Sequence, residues 1–67
     1  MPAVRNAKRA AELAMGYVED VLRREDLVIE EVAEAKDEWV VTFEGLSQEY
    51  ELHIDAGTGE ILEFTRV

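Results

Sequence analysis

His53 is the single histidine of this 67-residue chain, and any acid–base chemistry would have to start from it. It lies in Glu51-Leu52-His53-Ile54-Asp55, flanked by apolar residues, with acids two positions to either side. An imidazole titrates near neutral pH and can serve as base, acid or metal ligand. Nucleophilic catalysis needs a nucleophile beside that base and a third group to orient it. Ser47 sits in a loop with no histidine nearby in sequence, and Thr42, Thr58 and Thr65 fall in strand or turn patterns. The chain has no cysteine, so disulfides are excluded, and one histidine alone does not make a structural zinc site. His53 is therefore expected as a partly exposed strand residue facing Glu63.

Asp55-Ala56-Gly57-Thr58-Gly59-Glu60 is the second candidate. A calcium loop of the EF-hand kind needs several oxygen ligands at alternate positions and a closing Glu. This segment has one acid at each end, and local hydrogen bonds from Asp55 to the backbone of a turn account for it. Its glycines do not form a phosphate cradle, because no helix follows them. Acidic pairs such as Glu30-Glu31, Asp37-Glu38 and Glu49/Glu51 read as solvated strand edges and turns. Trp39, Phe43, Tyr50 and Phe64 read as core, since a nucleic-acid stacking platform would need basic neighbours. No cofactor is expected and no enzyme activity.

The net charge is −9, from sixteen acidic and seven basic residues. Arg5, Lys8 and Arg9 all precede the first acid, Glu12; from residue 10 onward four basic residues stand against sixteen acidic ones, a balance of −12. Phosphate contacts need clustered Lys and Arg, so nucleic acid and anionic membrane are poor partners. The longest apolar runs are three residues, too short to span a bilayer, and the N-terminus lacks the apolar core of a signal peptide. A complete chain of this kind is expected to be cytoplasmic; an excised domain carries no such implication. A core this small is marginal, so docking on a protein partner, or self-association as a homodimer, would add buried area.

The elements follow from periodicity. At 100° per residue, Ala7, Ala10, Ala11, Ala14, Tyr17, Val18, Val21 and Leu22 form one stripe, which predicts an amphipathic helix over residues 3–25. Pro2 would occupy its first turn. Glu19–Arg23 and Asp20–Arg24 would pair at i,i+4, with both arginines in the last turn. Gly16 falls on the polar face, at a cost of about 1 kcal/mol relative to Ala. After Asp26 the period drops to about two. Strands are expected at Leu27–Ala35, Glu38–Glu44, Glu49–Asp55 and Glu60–Val67. Leu27–Ala35 has no settled register, because both of its alternations carry apolar residues. A three-residue loop, Gly57-Thr58-Gly59, with Gly59 left-handed, would place Ile54 opposite Leu62, Leu52 opposite Phe64 and His53 opposite Glu63.

The expected fold is α+β: one N-terminal helix packed on an antiparallel meander of three to four strands, in a single domain over residues 1–67. One sheet face buries against the helix. The other would carry Val40, Thr42, Glu51, His53, Ile61 and Glu63, together with Thr65, and these are the candidate partner-binding residues.

Asp55, Thr58, Gly59, Glu60 and Ile61 resemble the end of a PepSY-type domain, in which an aromatic-led strand closes in Asp-x-x-Thr-Gly-[Glu/Lys]-[Ile/Val]. Tyr50-Glu51-Leu52-His53-Ile54 is similar to the strand before it, and the helix with Trp39-Val40-Val41 fits the family's helix-then-strands order. The resemblance implies a non-enzymatic binding or inhibitory module of the kind often found around peptidases. A second resemblance is to gas-vesicle accessory proteins of the O type, through the alanine-bearing helix, the Trp39-led strand, the Tyr50-Glu51 strand and Phe64-Thr65-Arg66. It implies an accessory factor for a protein assembly, with Arg5, Lys8 and Arg9 placed to dock on an acidic partner.

Overall fold

The computed structural model describes residues 2–67. The chain is an α+β domain: helix α1 (Ala7–Gly16), continued by a π-helical turn (Tyr17–Val21), then strands β1 (Val28–Ala35), β2 (Glu38–Glu44), β3 (Glu49–Asp55) and β4 (Ile61–Arg66). The strands form one antiparallel sheet in the order β1-β2-β3-β4.

The helix is shorter than its periodicity predicts. Asn6 caps α1, its side chain accepting a hydrogen bond from the Arg9 N–H at 2.9 Å, so one orphan donor of the first turn is satisfied. The residues before it serve the sheet instead. The Ala3 and Val4 N–H groups donate to the Gly57 and Ala56 carbonyls, Val4 is buried, and its carbonyl accepts the Trp39 indole N–H at 3.2 Å. Pro2 thus precedes this strap rather than starting a helix. At the other end the turn widens: the Leu22 N–H reaches back to the Tyr17 carbonyl. Wider turns put fewer degrees between residues. The 100° projection therefore overruns, and Val21, expected in the buried stripe, is 62% exposed. Arg23 then takes a left-handed φ of 58° while the Arg24 N–H bonds to the Val18 carbonyl, closing the helix where glycine is usual. Neither arginine lies in the helix. Arg24 pairs with Asp26 at 2.7 Å instead of Asp20 and lies over the Tyr50 ring.

The core lies between the helix and one face of the sheet. Ala10, Ala14 and Val18 face Trp39, Val41, Phe43, Leu52 and Ile54, with Val4 and Leu27 closing the ends. Small residues on the helix let it approach the sheet closely, so the bulk comes from the strands. Ala7, expected in the same stripe, is exposed. A side chain added at Gly16 would meet nothing, so no close approach accounts for that glycine.

Both outer strands carry a bulge. In β1 the register runs Ile29↔Phe43 and then Glu31↔Thr42, leaving Glu30 without a partner. The extra residue changes which alternation points inward, so Ile29 and Val32 both pack on the core although they differ in parity. In β4 the register runs Ile54↔Ile61 and then His53↔Glu63. The hairpin has four loop residues, Ala56–Gly59, closed by the Asp55 N–H to the Glu60 carbonyl and the Gly59 N–H to the Asp55 carbonyl, both 2.8 Å. Gly59 is left-handed as expected, with φ 81°. The longer loop would put Leu52 opposite Glu63, but the bulge at Leu62 restores Leu52↔Phe64 and His53↔Glu63. The expected Ile54–Leu62 pair is replaced by Ile54–Ile61.

Candidate functional site: the open face of the sheet

Side chains alternate across a strand, so the registers decide which residues share the face turned away from the helix. Four rows cross it. Ala35, Glu38 and Asp55 form the first; Ala33, Val40, His53 and Glu63 the second; Glu31, Thr42, Glu51 and Thr65 the third; Val28, Glu44 and Glu49 the fourth. Val40, Thr42, Glu51, His53 and Glu63 are thus brought together as the sequence predicts. Ile61 is not: opposite Ile54, it packs on the core side, because the bulge at Leu62 shifts its parity.

The rows carry seven carboxylates, one histidine and no Lys or Arg. Glu38, Glu31, Glu44, Glu49 and Asp55 are absent from the predicted set. Glu38 was within reach of strand parity alone, as it stands two residues before Val40; Glu31 was not, because the bulge at Glu30 hides its side. Crowding of like charge extends to the β1 edge. Glu30 has its carboxyl pushed above the usual range, first by Glu49 and also by burial and by Glu44 and Glu31.

His53 lies at the middle of this field. Its Nδ1 is 2.5 Å from Glu38 Oε1 on β2, and its Nε2 is 3.3 Å from Glu51 Oε1 on β3. A neutral imidazole has one N–H to donate; both contacts are hydrogen bonds only when the ring is doubly protonated. The ring accordingly titrates above its ordinary value. The Glu38 carboxylate is the main cause, Glu51 adds to it, and partial burial opposes both. With both ring nitrogens taken by carboxylates, His53 is not held against a hydroxyl nucleophile, and Ser47 lies apart in the β2–β3 loop. Among the described residues no group of three or more His, Asp or Glu is arranged to hold a metal ion.

The Asp55–Glu60 turn is structural. Asp55 Oδ1 accepts the Gly57 and Thr58 N–H groups at 2.8 and 3.1 Å, and Thr58 Oγ1 accepts the Glu60 N–H. The largest aromatic cluster is on the core side, where Phe64 stacks on Tyr50 at 5.2 Å and meets Tyr17 at 6.4 Å. No helix among the described residues is long and apolar enough to cross a membrane.

No protein-family model, curated protein or solved structure matches this chain.

Proposed function

We propose that this domain is a non-enzymatic protein-interaction module that docks a basic partner on the open face of its sheet. One observation carries the reading: a four-stranded face left uncovered, holding seven carboxylates and no Lys or Arg. Complementary charge steers and orients a partner, and like charges set against each other cost several kcal/mol. A second copy would bring carboxylates against carboxylates, so a homodimer through this face is disfavoured and a Lys/Arg-rich segment fits it. The resemblance to PepSY-type binding modules supports the same class of function.

The experiment is a binding titration with a hexalysine peptide. Wild type binds it in a salt-sensitive manner. Glu51→Lys/Glu63→Lys, on the face, loses about tenfold or more. Glu19→Lys/Asp20→Lys makes the same change in net charge on the exposed side of the helix and retains binding. Equal losses in the two variants would show that net charge, not this face, binds the peptide. The alternative, an assembly factor of the gas-vesicle type, rests on the exposed Arg5, Lys8 and Arg9. It predicts binding to an acidic partner that is lost on substituting those three.

A further inference from the structure

His53 lies in the middle of the open face, between carboxylates of two strands. Its two ring nitrogens meet the carboxylates of Glu38 and Glu51, and its register partner on β4 is Glu63. From β1, the row of His53 and the rows on either side of it contribute Ala33, Ala35 and the carboxylate Glu31, and Asp55 stands opposite Glu38. A protonated ring here is the sole cation among the face residues, drawn from the chain itself. A lysine or arginine arriving from outside would compete with it for the same oxygens. Resting on the reading of this face as the docking surface, we propose that His53 is a resident counter-ion that a basic partner displaces, so that docking releases a proton and tightens as the pH rises.

The direction follows from charge. While the ring is protonated, Glu38, Glu51 and His53 together carry −1, and both carboxylates have a partner. Once the ring is neutral they carry −2, and one carboxylate loses its hydrogen bond and is free for an incoming ammonium or guanidinium. Lysine keeps its charge over this range. Linkage makes the effect reciprocal: a bound cation must lower the pKa of His53 by the same coupling that lets deprotonation raise affinity.

The test is hexalysine affinity at pH 6.0 and 8.5 at constant ionic strength, for wild type, His53→Gln and His53→Lys. The ring resonances of His53 are followed by NMR with and without saturating peptide. Wild type should bind roughly two- to fivefold tighter at the higher pH, the scale of one exposed ion pair, and peptide should shift the ring titration to lower pH. His53→Gln should hold near the wild-type high-pH affinity at both pH values. His53→Lys should hold near the low-pH affinity at both. Binding by wild type with no pH dependence, or the same pH dependence in the two variants, would overturn the counter-ion role while leaving the docking face intact. Absence of hexalysine binding at either pH would overturn the docking face and the counter-ion together.

Discussion

The two faces of the sheet are built from alternate residues of the same strands, yet they are held by opposite physics. On the helix side, Val41, Phe43, Leu52 and Ile54 have no solvent exposure, and their positions are set by apolar contact. On the open side, Glu51 and His53 flank Leu52 in sequence, but their surroundings are set by charge: carboxylates on three strands around one imidazole. One face contributes most of the stability. The other sets carboxylates side by side, a poor arrangement for folding and, on the reading proposed above, the one that would receive a cation-rich partner.

Substitutions on adjacent residues separate the two most sharply. Leu52→Ala, on the buried face of β3, should cost about 2–5 kcal/mol. A single core of this size rarely supplies more than about 3–5 kcal/mol, so much of the population should be unfolded at room temperature by circular dichroism and denaturant titration. Glu63→Gln, on the open face of the adjoining strand, should leave the midpoint within about 0.5 kcal/mol of wild type. A comparable loss at Glu63 would mean that the open face also holds the fold.

A smaller effect comes from pH. His53 has its folded-state pKa raised above the ordinary 6.5 by Glu38 and Glu51. The folded state then binds the proton more tightly than the unfolded state. That stability is fully present below 6.5 and is lost as pH rises through the folded pKa. Denaturation of wild type and His53→Gln in parallel from pH 5.5 to 9 should show the wild type alone losing this increment above 6.5. A wild-type curve that rises over that window would contradict the geometry of the ring.

Where one force dominates a segment, its structure was legible in the sequence. β2 and β3 run over the residues their alternation predicts, because Trp39-Val41-Phe43 and Tyr50-Leu52-Ile54 each commit one parity to the core. The helix was legible in its middle and not at its ends. Ala3 and Val4 fall within the helical spacing, but their backbone N–H groups are claimed by the Ala56–Gly57 turn, a contact more than fifty residues away in the chain. Asn6 was a readable start signal, since Asn is a favoured cap. The bulges were the harder case. The mixed parity of β1 is the trace of an extra residue, Glu30, and the extra residue at Leu62 moves Ile61 from the predicted site into the core-side packing. A bulge has no strong local signature, so the site was legible as a face and not as a full set of residues.

The most direct test of the central claim is a map of backbone amide shifts as hexalysine is added to the wild-type protein at pH 8. Docking on the open face predicts shifts centred on Val40, Thr42, Glu51, His53 and Glu63, fading toward the helix. Shifts centred on Glu19 and Asp20, or spread evenly over every exposed acid, would contradict it.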